Sequence, residues 1–246
     1  MKEFKVLSIG IDEIRKSELL NQVESSILSK NKCLIFTINN EFVVESQKNK
    51  KFGNILNSSS FSIADSAGIV WAVNYLYGKK IERIPGVDLF IDLVKFSEDH
   101  GYRIFLFGAG TGVGEKTKEV LEKKFPKCKI VGFMDGIKVD GEKFDENIIS
   151  QINEAKPDIL CVALGAPKQE IWIHNNFKKI DCSVFTGVGG TFDYVSGNVK
   201  RAPKFMRDLS LEWLYRLIVQ PSRWKRIFNA LVVYPRLIKK YKKTLT

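Results

Sequence analysis

Histidine is nearly missing from this sequence: His100 and His174 are the whole supply in 246 residues. That scarcity argues against a His-rich metal centre and against a Ser-His-Asp triad. Cysteine is sparse as well. Cys33, Cys128, Cys161 and Cys182 are scattered, form no CxxC pair and fall mostly in apolar strand-like runs, so they read as buried reduced thiols. No apolar run approaches the roughly 18 residues needed to span a bilayer, and the opening MKEFK has neither the apolar stretch nor the cleavage site of a signal peptide. On these absences the chain is expected to stay in the cytoplasm. A DxD motif is missing too, so neither a metal nor any other cofactor is expected, although metal dependence stays open.

Charge is distributed unevenly. The chain carries a formal +11, and the segment from Gly197 to Thr246 alone holds 13 Lys and Arg against Asp208 and Glu212, so residues 1–196 are formally neutral. The length suits one core with an attachment rather than two full domains. The expected layout is an α/β domain over residues 1–196 and a basic appendage over 197–246.

Up to about residue 190, short runs rich in Val, Ile and Phe alternate with helix-period segments, the pattern of βαβ units around a largely parallel, Rossmann-like sheet with helices on both faces. Strands are expected at Lys5 to Ile9, Cys33 to Ile38, Phe61 to Ala64, Arg103 to Phe107, Lys129 to Phe133, Ile159 to Leu164 and Val184 to Val188. Helices are expected at Ala67 to Tyr77, Val87 to His100, Gly112 to Lys124, Asp145 to Ala155 and Lys168 to Phe177. In open α/β sheets ligands bind beyond the carboxyl ends of the strands, which directs attention to the loops after these runs.

Several of those loops carry chemistry. Gly108, Gly110 and Gly112 precede a helix start, where backbone N–H groups can meet phosphate oxygens. Val113 spoils a strict GxGxxG and Glu115 spoils a P-loop, so a purely structural turn is the competing reading. Gly189 and Gly190 offer a second close backbone approach, with Asp193 able to accept from a uracil N–H or a ribose hydroxyl. Asp65 follows a strand and precedes a helix, which fits a general base and equally a helix cap. Arg83 fits an anion site, a solvated charge or a pair with Glu82, and Thr37 and Asn39 fit either pocket lining or a turn.

Taken in order, Thr37-Ile-Asn39-Asn-Glu41, Glu82-Arg83-Ile-Pro85-Gly86, FLFGAGTGVGEK, LGAPKQEIWI and GVGGTFDYVSGNVKRAPKFMRDLSLEWLYRL resemble the WecG/TagA/CpsF family, also called glycosyltransferase family 26. The resemblance runs from about Ile35 to Arg236, is most specific from Gly187 to Leu217, and owes nothing to the first thirty residues. It implies inverting transfer of an N-acetylmannosamine-type sugar from a UDP donor to the 4-hydroxyl of polyprenyl-diphosphate-linked N-acetylglucosamine, in teichoic acid or other surface polysaccharide synthesis. On the matching positions it implies Asp65 as general base, with Thr37, Asn39, Arg83 and Gln169 lining its pocket. Ser66 departs from the pattern, since relatives often place glycine after that aspartate. Departing UDP accumulates charge, for which the Gly108 to Gly114 loop, Arg83 and Lys168 are the candidate donors. Two other classes remain beside this reading: a nicotinamide-dependent oxidoreductase and a non-enzymatic membrane or nucleic-acid adaptor.

In the basic tail, Trp224, Ile227, Phe228 and Leu231 form one helical stripe and Leu237, Ile238, Tyr241 and Leu245 another, with Pro235 in a first turn. Basic amphipathic helices of this kind lie on anionic membranes, which points to peripheral attachment at the inner face of the cell membrane. Packing on the parent domain or a second subunit is the competing reading, and it leaves homo-oligomers open. No nucleic-acid motif accompanies the charge. Arg216, Arg223 and Arg226 are candidates for the acceptor diphosphate.

Overall fold

A computed structural model describes residues 2–136, 145–209 and 211–245. Its centre is a six-stranded sheet in the order β4-β3-β8-β7-β5-β6, built from β3 (Cys33–Ile38), β4 (Phe61–Ala64), β5 (Arg103–Gly108), β6 (Lys129–Met134), β7 (Ile159–Ala163) and β8 (Val184–Gly187). Every pair in it is parallel. Parallel strands covered on both faces need apolar residues at every position, and β3 (CLIFTI) is buried throughout. The edge strand β6 instead alternates exposed and covered positions.

Leu34, Phe36 and Ile38 point to one face of the sheet and Cys33 and Ile35 to the other, and each set belongs to its own apolar cluster. The first cluster is covered by α2 (Asn40–Lys48), α3 (Lys50–Asn57), α4 (Ala67–Tyr77), α7 (Asp145–Ala155) and α8 (Lys168–Asn176). The second is covered by α1 (Lys16–Leu28), α5 (Gly86–His100), α6 (Val113–Lys124) and α9 (Thr191–Val195). All four cysteines are buried and unpaired.

One expected strand is corrected. Lys5 to Ile9 is a hairpin apart from the main sheet, with β1 (Phe4–Val6) antiparallel to β2 (Ile9–Ile11). The chain reverses at Leu7, which takes a left-handed φ of 56° that a continuous strand forbids. The sequence reading also missed α1, α2, α3 and α9. α2 and α3 are short, and each begins at an asparagine that reads as a turn former: Asn39 and Asn49 cap them by accepting backbone N–H bonds.

The chain runs from β3 to the outer β4, then crosses to β5 and the outer β6 before filling the middle with β7 and β8. That reversal opens a crevice at the carboxyl edge, where an open α/β sheet takes its ligands. The tail closes over this edge as α10 (Lys204–Asp208), α11 (Glu212–Val219), α12 (Trp224–Phe228) and α13 (Tyr234–Lys242). Pro235 brings no N–H to the helix, and a wider π turn, Asn229–Val233, joins α12 to α13 just before it. Tyr234 and Ile238 are fully buried in the first cluster, and the Tyr234 hydroxyl donates to the Gly68 carbonyl at 3.2 Å. Trp224, Phe228 and Leu245 stay exposed. Both stripes of the tail therefore divide, one side packing on the α/β domain and the other facing outward. Among the described residues no helix is long and apolar enough to cross a membrane.

Candidate active site

Asp65 follows β4 directly, its N–H donating to Ile38 of β3 at 2.9 Å. Ser66, not Asp65, occupies the cap position of α4. The Asp65 carboxylate reaches across to α5, where Oδ1 accepts the N–H of Gly86 at 2.8 Å, a place where the helix dipole favours negative charge. Arg83 donates through Nε to the Asp65 carbonyl at 2.9 Å, while Glu82 accepts from the Lys16 N–H instead. Arg83 is thus held against the Asp65 backbone at the edge of the larger cavity. Ser66 has φ −102° and ψ 151°, an extended backbone open to any residue, and its hydroxyl donates to Asn40 Oδ1 at 2.7 Å.

Two cavities meet at Asp65. One is a polar cleft bounded by Thr37, Asp65, the Gly165 loop, the Gly187–Gly190 loop and Tyr194, with Arg226 at its rim. The other, about 440 Å³, lies between α4 and the tail and is lined by Arg83 and Arg201 with a mainly apolar wall that includes Trp71, Trp213, Leu231 and Tyr234. Asn39, Glu41, Asp65 and Val87 belong to both.

Among the residues expected from the sequence, Thr37, Asn39, Asp65, Arg83, Gln169, Gly189 and Gly190 are brought together here. Part of Asn39 is already committed, because its Oδ1 accepts the N–H groups of Glu41 and Phe42. Gln169 is buried and bonded to the cleft loops from behind. Gly108, Gly110, Gly112, Lys168 and Asp193 line neither cavity. The glycine loop after β5 is closed on itself: Ala109 donates to Ala163, Val113 to Gly110, and Gly112 to the Asp135 carboxylate at 2.8 Å. A carboxylate thus takes the helix-start N–H that the sequence offers to phosphate. Gly108 is required there for packing, since a Cβ would sit 2.6 Å from the Ala163 carbonyl carbon at a φ of +110°.

Arg226 stands at the rim of the cleft, paired with Glu41 at 2.6 Å. The side chains of Arg216 and Arg223 lie outside the described residues. Sequence reasoning missed Asn40, which ties the tail to the site: its Nδ2 donates to the Ala230 carbonyl at 3.1 Å while Oδ1 receives Ser66. It also missed Arg201, paired with Asp88 at 2.6 Å. The doubled Asn39-Asn40 was the available signal for Asn40; for Arg201 nothing distinguished it from the other basic residues nearby.

A parallel sheet with a carboxylate, glycine loops and two cavities at its carboxyl edge defines an α/β enzyme of Rossmann-like architecture. The glycosyl transferase WecG/TagA/CpsF family model matches residues 4–245, and the chain belongs to that family. The match takes in the first thirty residues, where the sequence motifs alone showed no resemblance. Among its relatives, a Bacillus spizizenii protein is 36% identical over 215 residues, covering 87% of this chain and 82% of its own. One from Bacillus subtilis strain 168 is 38% identical over 197 residues, covering 80% and 75%. One from Staphylococcus aureus strain MRSA252 is 30% identical over 224 residues, covering 90% and 85%. All three bear the name N-acetylglucosaminyldiphosphoundecaprenol N-acetyl-beta-D-mannosaminyltransferase.

Proposed function

We propose that this glycosyl transferase moves an N-acetylmannosamine-type sugar from a UDP donor to the 4-hydroxyl of N-acetylglucosamine carried on a polyprenyl diphosphate, with inversion. The observation that supports it best is the place of Asp65, the one acidic group besides Glu41 shared by the polar cleft and the larger cavity. The donor sugar and its diphosphate occupy the cleft, against the Gly189 and Gly190 backbone and Arg226. The acceptor enters through the larger cavity, its sugar toward Asp65 and its first prenyl units against Trp71 and Trp213.

In that arrangement the acceptor hydroxyl attacks the anomeric carbon as the bond to the UDP oxygen breaks. Asp65 takes the hydroxyl proton, and one displacement inverts the centre. Charge gathering on the leaving diphosphate is met by backbone N–H groups and a guanidinium, with no metal required. The tail seats the enzyme on an anionic membrane at its inner face, with Trp224 and Phe228 exposed toward lipid. Teichoic acid or a related surface polysaccharide is the product line this chemistry serves.

The test is a donor screen with purified protein and a synthetic lipid-diphosphate acceptor, the product's anomeric configuration read by NMR. Turnover with UDP-N-acetylmannosamine and an inverted product are expected. Turnover confined to non-UDP donors, or a retained configuration, would overturn the reading.

A further inference from the structure

Behind the polar cleft lies a small buried assembly in which the family resemblance gives Gln169 a place in the pocket lining and gives Glu170 no part. Gln169 and Glu170 open α8, with 3% and 1% of their surfaces exposed. The Gln169 Oε1 accepts two backbone N–H groups, from Gly165 at 3.1 Å and from Gly189 at 3.0 Å. These belong to the loops after β7 and β8, which bound the cleft from two sides. Both glycines hold positive φ, 75° at Gly165 and 55° at Gly189, so each loop turns at the residue whose N–H is pinned.

A side-chain amide can make this bridge in one orientation only. Two donors must face its oxygen, so its NH2 must find an acceptor on the other side. That acceptor is Glu170 Oε1, at 2.6 Å from Gln169 Nε2. Were Glu170 apolar, the NH2 would be buried without a partner, and turning the amide over would set NH2 against two N–H donors. Gly187 completes the assembly, because a Cβ there would lie 2.4 Å from Gln169 Nε2 and 2.8 Å from Glu170 Oε1. The second carboxylate oxygen, Oε2, is buried without a hydrogen bond among the described residues. A charged group is costly to keep in such a place. Burial pushes the Glu170 carboxyl up to about 7.

We propose that Glu170 is a positioning residue: by accepting the Gln169 amide it fixes which way that amide faces, and so holds the two glycine loops in the shape that receives the donor's diphosphate and sugar. The inference rests on the donor reading of the cleft given above. Glu170 touches no substrate in this account and acts entirely through Gln169.

The experiment compares Glu170→Ala and Glu170→Gln with the wild-type enzyme. Backbone amide exchange at Gly165 and Gly189 reports the bridge itself, UDP binding by calorimetry reports the cleft, and KM for donor and acceptor are measured separately. Glu170→Ala is expected to speed exchange at both glycines and to weaken UDP binding and donor KM by about tenfold, the scale of one unmade buried hydrogen bond, leaving acceptor KM unchanged. Glu170→Gln keeps an acceptor for the amide and is expected to restore all three. Unchanged exchange in Glu170→Ala, or a Glu170→Gln variant as impaired as Glu170→Ala, would overturn the proposal. So would altered exchange with donor KM unchanged, which reduces the pair to scaffolding. A wild-type protein indifferent to UDP would instead remove the donor reading, and exchange at Gly165 and Gly189 would then decide the bridge alone.

Discussion

Asp65 and Gly86 are joined by a carboxylate-to-amide hydrogen bond of 2.8 Å that crosses from the end of β4 to the first turn of α5. The bond fixes the carboxylate at the border between the polar cleft and the larger cavity. An amide in place of the carboxylate keeps this contact, because its Oδ1 still accepts the Gly86 N–H, and loses the capacity to take a proton.

Asp65→Asn is therefore expected to fold normally and bind UDP, with turnover reduced about a hundredfold or more, the usual scale for removing a general base. Initial rates alongside a thermal melt make the check. Turnover near wild type in a folded variant would take Asp65 out of the mechanism.

Activity is expected to survive excess EDTA. In the proposed arrangement the leaving diphosphate is met by backbone N–H groups and Arg226, and the sequence has no DxD motif. Loss of turnover on chelation, restored by magnesium or manganese, would assign that charge to a metal.

The tail divides into an inward and an outward side, and the two should respond to different assays. Ile238→Ala removes a fully buried side chain and is expected to lower stability by about 2–5 kcal/mol, read by chemical denaturation. Phe228→Ser sits on the outward side and is expected to leave stability within about 0.5 kcal/mol while weakening co-sedimentation with anionic vesicles. Binding should also fall with salt, as the Debye length shrinks from about 10 Å at 0.1 M to about 3 Å at 1 M. Vesicle binding indifferent to lipid charge, salt and Phe228 would make the outward face a protein contact.

Glu170 gives a pH dependence whose sign is fixed by its raised value. Its carboxyl moves from 4.5 to about 7 through burial, so between those values the native state holds a proton that the unfolded chain has released. Its contribution to stability is complete below about pH 4.5 and is lost as pH rises through 7. Glu170→Gln has no proton to lose, so its stability relative to wild type should rise across that window by on the order of 3 kcal/mol. Denaturation midpoints at pH 5 and pH 8 test this, and a difference that stays flat would show that Glu170 does not titrate there.

Much of the sheet was legible because buried parallel strands are written as near-continuous apolar runs, and β3, β5 and β7 are of that kind. The short helices α2 and α3 were not, since their asparagine caps are also turn residues and their apolar faces are only two turns long. At the site, Thr37, Asp65 and Gly189 could be found because they stand where strands end. The closing of the Gly108 loop by Asp135 could not, because that contact joins positions 23 residues apart through the geometry of β6. Asn40 illustrates the same limit: it bonds Ala230, 190 residues away, and no local pattern encodes such a partner.

Burial of every native thiol has a practical consequence for experiments on this enzyme. Removal from water pushes Cys33 and Cys128 up to about 11 and Cys182 to about 12, with Cys161 raised as well. A thiol so placed is almost wholly protonated near neutral pH and out of reach of alkylating reagents. A single cysteine introduced on the outward side of the tail, at Phe228 or Trp224, would then be the one reactive sulfur in the chain. Spin labels or fluorophores could be attached there without first deleting four residues from the core, and whether that helix meets lipid at all could be read directly.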